Sequence, residues 1–444
     1  MASLTKQDIL NMAADEQVEL IRLQFTDILG TTKNITISVE QLGKALDNQI
    51  MFDGSSIQGF VRIQESDMYL WPDYSTFAVF PWESNGRRVA RLICDVYLPD
   101  GSPFEGCPRF VLKRALAAAE ELGFTLFVGS EPEFFLFKMD NDGYPILETN
   151  DRGGYFDLSP LDKGEEAREA IVFALQQMGF HVEASHHEVS PGQHEIDFKY
   201  DHALRAADNI HTFKYVTKVI AQHHGLHASF MPKPIFGLCG SGMHLHLSLF
   251  SGERNIFYDP QDPLGISSTA RNFIGGLLAH ARSFTAITNP IINSYKRLVP
   301  GYEAPCYLSW SSQNRSALIR VPAFTQGSAA RVELRNPDPS ANPYLALAVI
   351  LRAGLEGIVN GYHPGPECFE NIYEMPNEER EAKGFENLPQ SLIEAVELLA
   401  RDEVIRDALG EHVYSNFVRA KIIEWKRYAR QVHQWELDEY LLRI

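Results

Sequence analysis

Hydrophobic and polar positions alternate with the period of two that is typical of strands in the first part of the chain. After a polar, helix-like start over residues 1 to about 20, the segment ELIRLQFTDILGTTKNITISV alternates and contains a turn at Gly30. The segments TFAVFPW and RVARLICDVYLPDG continue the pattern with further strands. Residues 20–100 are therefore predicted to form a small mixed β domain.

Beyond residue 104 the pattern changes, and helix-like segments alternate with strand-like ones. A helix is predicted to begin near Pro108 and to end at Gly123, since proline suits the first turn of a helix and glycine its end. Further strands are predicted in FTLFVGSEPEFFLF, LHASFMP and GMHLHLSLF, and further helices in EEAREAIVFALQQMG, ALRAADNIHTFKYVTKVIAQHHG and ANPYLALAVILRAGLEGIVNG. Residues 289–340 are rich in loop-forming residues, and the chain is helical again from about residue 390. The pattern indicates an α+β protein with a first domain over residues 1–103 and a second over residues 104–444.

The composition is that of a soluble globular protein, with 444 residues of which 45% are hydrophobic and 22% charged. A formal net charge of −18 argues against a broad surface for nucleic acid or for an anionic membrane, and it is compatible with cation binding. The sequence has no signal-peptide core and no run of transmembrane length, and its five cysteines lack CxxC spacing. We expect a cytoplasmic protein without structural zinc.

Candidate chemistry is densest in the segment ASHHEVSPGQHEIDFKY. Residues 190–193 have the proline and glycine of a turn, so an antiparallel hairpin would place Glu188 opposite Glu195. The two carboxylates would lie about 5 Å apart on one face, where like charges repel, and His187 and His194 would point to the other face. A solvated hairpin is the ordinary interpretation of a charged segment, but opposed carboxylates favour a bound cation. Carboxylate oxygen suits magnesium or manganese better than zinc, so the histidines are not expected to be ligands.

Other segments show polar residues at every second position within apolar surroundings. Glu131 and Glu133 would project from one face of a strand, about 7 Å apart. Two further rows occur in GSGMHLHLSLF and RVELR, namely His244, His246 and Ser248, and Arg331, Glu333 and Arg335. Each row alone is compatible with surface decoration or with a core histidine. Together they indicate a polar channel lined by a curved sheet.

The combined donor set indicates the type of chemistry. Five carboxylates and one histidine could hold two divalent cations, and two cations suit a polyphosphate. Arginines gather in the intervening loops, at Arg297, Arg315 and Arg320, and arginine pairs well with phosphate and carboxylate. The sequence contains neither a Walker A motif nor a GxGxxG after a strand, so phosphate would be held by metal and arginine. These residues predict a two-metal phosphoryl-transfer enzyme that acts on a carboxylate.

Motifs of one family stand in order along the chain, namely MFDGSSIQGF, EPEFFLF, HHEVSPGQHEIDF, FMPKPIFG, GSGMHLHLS, NSYKRLVPGYEAP, NRSALIR and RVELRNPDPSANPYLALA. In these motifs the chain resembles the prokaryotic type I glutamine synthetases, and its length resembles their alpha subtype from low-GC Gram-positive bacteria. The resemblance implies an N-terminal β-grasp domain and a C-terminal catalytic domain with a curved antiparallel sheet. It also implies a homododecamer of two stacked hexamers, with active sites between adjacent subunits.

The resemblance also implies residue roles. One metal site would consist of Glu133, Glu188 and Glu195, and the other of Glu131, His244 and Glu333. Substrate-binding residues would be Glu133, Gly240, His244, Arg297, Glu303 and Arg335. Residues facing the nucleotide would be Tyr200, His246, Ser248, Arg315 and Arg320. The catalytic residues would be Asp53 from the neighbouring subunit, the flap residue Glu303, and Arg315, with two Mg²⁺ or Mn²⁺ ions per site and ATP as co-substrate.

The activity that this resemblance implies is ATP-dependent ligation of ammonium to L-glutamate through γ-glutamyl phosphate, giving glutamine, ADP and phosphate. One alternative is a γ-glutamyl–amine ligase of the same superfamily, but the intact Asp53 and Glu303 favour ammonium. Another is a non-catalytic regulatory paralogue, which the presence of every metal-ligand position argues against. The chain departs from the family pattern in two places. Cys239 stands where the family usually has asparagine, and the loop before RVELR differs, which affects the nucleotide contacts expected of Ser328 and Arg331.

Regulation is implied in the same way. Tyr373 matches the tyrosine that is adenylylated in the longer subtype, but the extra segment that accompanies this modification is lacking. The alpha subtype instead implies feedback inhibition by glutamine, with Arg62 as the matching residue, and an interaction with nitrogen-responsive transcription repressors. No direct nucleic-acid or membrane partner is expected.

Overall fold

The computed structural model describes residues 4–57, 59, 67–370 and 372–444. Its N-terminal elements are α1 (Lys6–Asp15), β1 (Leu20–Thr26), β2 (Thr32–Ser38), α2 (Leu42–Leu46), β3 (Ile50–Asp53), β4 (Asp67–Val79) and β5 (Val89–Tyr97). Over these described residues the strands form a five-stranded sheet in the order β2-β1-β5-β4-β3, with β1 and β5 parallel and the other neighbours antiparallel. The predicted strands are confirmed. The first helix is shorter than predicted, because the chain turns at Gln17, whose φ is 52°.

The rest of the chain surrounds a larger sheet. Its strands are β6 (Thr125–Met139), β7 (Pro145–Thr149), β8 (Val182–His187), β9 (Gln193–Phe198), β10 (Asp201–His202), β11 (Leu226–Ser229), β12 (Met243–Ser251), β13 (Arg254–Asn255), β14 (Trp310–Ser311), β15 (Ile319–Arg320) and β16 (Val332–Leu334). Its helices are α3 (Pro108–Glu121), α4 (Glu165–Gln177), α5 (Ala203–His223), α6 (Ser268–Thr288), α7 (Ser294–Arg297), α8 (Pro343–Asn360), α9 (Asn377–Ala382), α10 (Leu392–Leu399), α11 (Glu403–Leu409), α12 (Glu411–Tyr428) and α13 (Gln434–Tyr440). The α+β class is confirmed.

The strand order of the larger sheet brings the predicted polar rows together. Its main path runs β14-β15-β16-β12-β6-β9-β8, so the rows lie on consecutive strands. His244 on β12 pairs with Glu131 on β6, and His246 pairs with Glu333 on β16. Side chains directly opposite each other on antiparallel strands lie about 5 Å apart. The rows therefore converge on one face of the sheet.

The opposite face of this sheet is part of the main hydrophobic core. On β12 the alternate residues Leu245 and Leu247 are fully buried and belong to one cluster with α6 and α8. These two helices pack closely, since a Cβ atom at Gly276 of α6 would lie 2.1 Å from the Ala353 carbonyl oxygen of α8. Among the described residues, α8 is the one helix long and apolar enough to cross a membrane, and 72% of that stretch is buried inside the fold. It is therefore a core helix.

A buried charge network joins the N-terminal sheet to the helices behind the larger one. The Arg109 guanidinium of α3 donates to Asp208 of α5 at 2.9 Å, to Asp95 of β5 at 3.2 Å and to Asp73 of β4 at 2.7 Å. The Tyr344 hydroxyl of α8 donates to Asp208 at 2.6 Å. Because one side-chain network joins strands β4 and β5 to helices α3, α5 and α8, it fixes how the N-terminal sheet lies on the rest of the chain.

Candidate active site

The polar face of the larger sheet opens into two adjoining cavities within the described part of the chain. The larger, of about 390 Å³, is called the acidic cavity below and is lined chiefly by Glu131, Glu133, Glu188, Glu195, Asp197, Glu303 and Glu333 together with His186, His244, Arg297, Arg315, Arg320 and Arg335. The second cavity, of about 280 Å³, is lined chiefly by Glu131, Glu183, Asp197, Tyr200, His246, Ser248, Ser328 and Arg331. Glu131 and Asp197 line both cavities, so a ligand that spans them passes these two carboxylates.

The register of the β8–β9 hairpin differs from the prediction by two residues. His187 pairs with His194, and His186 pairs with Glu195, so Glu188 is not opposite Glu195 as predicted. The observed turn is longer than the one expected from the proline and glycine alone, since the Glu188 backbone N–H donates to the Gln193 carbonyl at 2.7 Å across residues 189–192. A shift by two residues leaves every side chain on its original face, and the ligand atoms of His186, Glu188 and Glu195 lie within 4.8 Å of one another. The expected face is thus correct and the expected partner is wrong.

Glu133, rather than Glu188, is the residue directly opposite Glu195 on the neighbouring strand β6. Both side chains are buried. One Glu133 carboxylate oxygen accepts hydrogen bonds from the Gln193 side-chain amide at 2.7 Å and from the Gly242 backbone N–H at 3.0 Å. These bonds orient the carboxylate and leave its second oxygen available to a cation.

A second group of donors lies around Glu131. The Nε2 atom of His246 is 2.6 Å from one oxygen of Glu131, and Nδ1 of His244 is 3.5 Å from the other and 3.8 Å from Glu333. The ligand atoms of Glu131, His246 and Glu333 lie within 4.8 Å of one another. The Arg331 guanidinium donates to Nδ1 of His246 at 3.2 Å, so Nε2 of His246 carries the proton that is donated to Glu131. His244, itself an expected ligand, thus lies near Glu131 and Glu333 and faces the acidic cavity, whereas His246 is hydrogen-bonded to Glu131.

The electrostatics of the acidic cavity call for cations. Burial, and then the neighbouring Glu133 and Asp197, raises the pKa of the Glu195 carboxyl to about 12. Burial and Glu133 raise the pKa of Glu188 to about 8, and burial and Glu131 raise the pKa of Asp197 to about 7. Ionising all of these groups together is unfavourable unless positive charge enters among them. A donor set dominated by carboxylate oxygen fits hard divalent ions such as Mg²⁺ or Mn²⁺.

Arginines supply positive charge to the same cavity. Arg297 is buried and donates to the backbone carbonyls of Asn336 at 2.8 Å and Arg335 at 3.1 Å, which fixes its position. Arg320 donates to Glu333 at 2.7 Å, and Arg335 donates to the other oxygen of Glu333. Since their guanidinium groups also line the cavity, they are placed to bind an anionic ligand.

The mouth of the acidic cavity is formed by exposed residues. Arg315 and Glu303 are both exposed and line it. Glu303 has a φ of 55°, in the left-handed region that non-glycine residues seldom adopt, and Gly301, two residues earlier, has a φ of 90°. The adjacent Tyr302 ring lies 3.5 Å from the ammonium group of Lys233. The loop that carries Glu303 is therefore held in an unusual backbone conformation over the cavity.

Of the other residues named from the sequence, some lie outside the two cavities and some line the acidic cavity. Asp53 is exposed at the end of β3, where hydrogen bonds from Ser55 lower its pKa, and it is not among the described residues that line either cavity. Arg62 lies outside the described residues. Tyr373 is half-buried and donates its hydroxyl to the Ala304 carbonyl. Cys239 lines the acidic cavity, as does Gly240, to which the Gln193 side chain donates at 3.1 Å.

Comparison with known proteins identifies the family. The model of the glutamine synthetase β-grasp domain matches residues 17–99, and that of the glutamine synthetase catalytic domain matches residues 105–440. The chain is 58% identical over 440 residues to glutamine synthetase of Staphylococcus aureus, covering 99% of this chain and 98% of the relative. The chain belongs to the glutamine synthetase family. Glutamine synthetase of Staphylococcus epidermidis has the same identity and coverage, so the chain is a glutamate–ammonia ligase.

Solved structures agree with this assignment. A complex of GmaS with ADP superposes with a TM-score of 0.89 and is 34% identical, covering 98% of this chain and 99% of the other. Glutamine synthetase of Plasmodium falciparum superposes with a TM-score of 0.86 at 27% identity, covering 99% of this chain and 100% of the other. Glutamine synthetases depend on ATP and use divalent metal ions, which fits the two adjoining cavities and their donors.

Some residues of this glutamine synthetase site were not predicted. Asp197 follows Glu195 by two positions on β9, so the period-two rule could have placed it on the same face. His186 was set aside as a ligand, yet its ring nitrogens lie 3.5 Å from Glu188 and from Glu195. Gln193 carried no signal, because its role depends on the partner strand β6.

Proposed function

We propose that the acidic cavity of this glutamine synthetase binds L-glutamate and two divalent cations, and that the second cavity binds ATP. The observation that carries this proposal is the adjacency of the two cavities through Glu131 and Asp197. A phosphoryl group leaving ATP in the second cavity would enter the acidic one at this junction. The glutamate side chain would then meet it among carboxylates and arginines.

The two cations, Mg²⁺ or Mn²⁺, would be held by Glu133, Glu188 and Glu195, and by Glu131, His244 and Glu333. The raised pKa values of Glu188 and Glu195 support the first assignment, since a cation relieves the repulsion that raises them. When bound, such ions offset negative charge on the transferred phosphoryl group.

The side chains of this enzyme have three tasks in the first half-reaction, namely to bind glutamate, to stabilise the transferred phosphoryl group and to contact the nucleotide. A carboxylate is a poor electrophile, so ATP converts the glutamate γ-carboxylate into an acyl phosphate. Arg297 and Arg335 bind and orient the glutamate, and their positions on fixed backbone and on Glu333 support this role. Arg315 and Arg320 stabilise the charge that develops on the phosphoryl group. Tyr200, His246 and Ser248 contact the nucleotide.

In the second half-reaction ammonium must lose a proton before it can attack. Asp53 of a neighbouring subunit attracts the ammonium ion and accepts its proton. The exposure and lowered pKa of Asp53 support the first of these tasks, because they keep the carboxylate anionic. Glu303 closes over the intermediate and excludes water. Ammonia then displaces phosphate from the acyl carbon and gives glutamine.

We further propose the assembly and control that the sequence predicts. The domains are residues 1–103 and 104–444, and the enzyme is a cytoplasmic homododecamer whose sites lie between subunits. Glutamine inhibits it through Arg62, and Tyr373 is not adenylylated. The feedback-inhibited form binds nitrogen-responsive repressors.

The test is a panel of amines with glutamate and ATP, in which each product is quantified by mass spectrometry. Ammonium should exceed methylamine in kcat/KM by about 10-fold or more, because one added methyl group in a fitted pocket costs about 1–3 kcal/mol. The negative control is Glu333→Ala, which should form none of the products. If any alkylamine had a larger kcat/KM than ammonium, the proposal that ammonium is the substrate would be wrong.

A further inference from the structure

A layer of buried charged and polar side chains lies beneath the β8–β9 hairpin, on the face opposite the acidic cavity. It consists of Asp151, Asp162, Arg168, His187 and His194, called the buried layer below. All of these side chains are buried, and His187 and His194 are fully so. None of them lines either cavity, so the roles proposed above do not account for them.

Asp151 is the centre of one half of this layer. Its Oδ1 atom accepts hydrogen bonds from the backbone N–H of Gly192 at 2.8 Å and of Gly153 at 3.1 Å. Its Oδ2 atom accepts from the backbone N–H of Lys163 at 3.1 Å. One carboxylate thereby ties the hairpin turn at Gly192 to both ends of the segment 153–163.

His187 extends this contact to a proposed metal ligand. Its Nε2 atom lies 3.1 Å from Oδ1 of Asp151, and its Nδ1 atom lies 2.7 Å from the backbone carbonyl oxygen of Glu188. Carboxylate and carbonyl oxygens are both acceptors, so each ring nitrogen donates. The backbone at Glu188 is therefore held through His187 to Asp151.

The other half of the layer holds the backbone next to Glu195. The Arg168 guanidinium donates to Asp162 at 2.6 Å and lies 2.9 Å from Nδ1 of His194. His194 directly precedes Glu195 on β9 and points to the opposite face. Its position therefore sets the height and tilt of the strand that presents Glu195 to the acidic cavity.

The donor atoms of Asp151, Asp162, His187 and His194 lie within 4.8 Å of one another, which raises the question of a further metal site. The Arg168 guanidinium already occupies the space between Asp162 and His194, and a cation would repel it. His187 is likewise committed to Asp151. The charged groups of the layer are thus paired with one another, Arg168 with Asp162 and His187 with Asp151, which argues against a metal site.

We propose that the buried layer is a positioning device that fixes Glu188 and Glu195 as a preformed cation site, an inference that rests on the proposed function. Partners behind metal ligands orient those ligands, and their loss commonly weakens metal binding by about 10- to 100-fold. Both carboxyls must ionise to bind a cation, and two ionised carboxylates this close repel each other, so without support the hairpin would relax and move them apart. The layer resists this relaxation by holding the backbone at both positions.

Gly164 provides a way to disturb the layer without changing its charge. A Cβ atom at this position would lie 2.5 Å from Nε2 of His194. Gly164 has φ −93° and ψ −5°, which alanine also adopts, so Gly164→Ala acts by displacing His194 and, to a smaller extent, the Asn150 side chain, whose Nδ2 atom would lie 3.1 Å from the Cβ. Gly43 is a matched control, since nothing lies within 4 Å of a Cβ atom there.

The experiment measures Mn²⁺ binding to the purified full-length enzyme by electron paramagnetic resonance, with thermal unfolding recorded in parallel. Asp151→Asn and Gly164→Ala should each raise the dissociation constant of one Mn²⁺ by about 10- to 100-fold. Excess Mn²⁺ should restore turnover, and binding of a fluorescent ATP analogue should be unchanged. Asp208→Asn, which removes a buried carboxylate that accepts from Arg109 and Tyr344 and contacts no member of the buried layer, should lower the unfolding temperature and leave Mn²⁺ binding intact.

Glu195→Gln separates failure of this inference from failure of the proposed function. If Glu195→Gln binds Mn²⁺ normally, the assignment of the metal site is wrong. If Glu195→Gln weakens binding while Asp151→Asn and Gly164→Ala do not, only the positioning role is overturned. An equal loss of Mn²⁺ affinity in Asp208→Asn would also overturn it, because the effect would then be general destabilisation. Should Asp151→Asn not assemble, Gly164→Ala against Gly43→Ala decides by the same criterion.

Discussion

Binding of a divalent cation to this enzyme should release protons at neutral pH, and Glu195→Gln should reduce their number by one. In the cation-free protein, burial and neighbouring carboxylates raise the pKa of Glu195 to about 12 and that of Glu188 to about 8. Both carboxyls must ionise to bind a cation. Binding of the cation is therefore coupled to the release of protons from these two carboxyls.

The number of protons follows from these pKa values. At pH 7 a group with a pKa near 8 is about 90% protonated and one with a pKa near 12 fully so, which predicts release of about two protons per cation at this site. Glutamine cannot ionise, so the variant should release about one. The same shifts affect stability. Both folded pKa values exceed the unfolded value, so the contribution of these groups to stability is full below pH 4.5. It is lost as the pH rises through the folded values, near 8 for Glu188 and near 12 for Glu195.

The assay is titration calorimetry with Mn²⁺ in buffers of equal pH and different ionisation enthalpy, since the slope of the observed enthalpy against that enthalpy counts released protons. The measurement is repeated at pH 9, where Glu188 is already ionised and the wild-type count should fall toward one. A slope near zero for the wild type at pH 7, or equal slopes for wild type and variant, would refute the reasoning. Thermal unfolding of the cation-free protein gives an independent check, because its stability should decline between pH 4.5 and 8.

Three further outcomes are expected. Mixed oligomers of Asp53→Asn and Glu333→Ala subunits should regain activity that neither variant has alone, because a site shared between subunits draws one intact half from each; no recovery in verified mixtures would contradict the shared site. Arg62→Ala should keep its turnover and lose inhibition by glutamine, whereas Tyr373→Phe should change neither, as measured by glutamine inhibition curves and by mass spectrometry for a nucleotide adduct. Gly276→Val should destabilise the enzyme by several kcal/mol in thermal or urea unfolding, since a Cβ atom there would lie 2.1 Å from a carbonyl oxygen of α8; an unchanged unfolding curve would contradict the tight packing of α6 on α8.

Local patterns were sufficient for the faces of the strands. Alternation at Glu131 and Glu133, and at His244 and His246, predicted which side chains share a side, because the side-chain period of a strand does not depend on its partners. The same reasoning predicted that Glu188 and Glu195 face one way and His194 the other. The helix from Pro108 and the alternating strands before residue 100 followed from equally local rules.

Pairing required the tertiary structure. The hairpin register was predicted two residues away from the observed one, because turns of different length satisfy the same proline and glycine and preserve the same faces. Within the hairpin the partner of Glu195 is His186, and on its other side Glu195 neighbours Glu133 of β6, which is far away in sequence. No local pattern distinguishes such a neighbour from any other strand residue.

The sequence by itself thus determined the elements, the faces of the polar rows and, through its motifs, the family. Only the tertiary structure decided which rows are adjacent, that Asp197 lies between the two cavities, and that Asp151 supports the hairpin from beneath. The physical reason is the range of the interactions. Backbone alternation and capping act over a few residues, whereas strand order and buried charge pairing are selected by the packing of the whole chain.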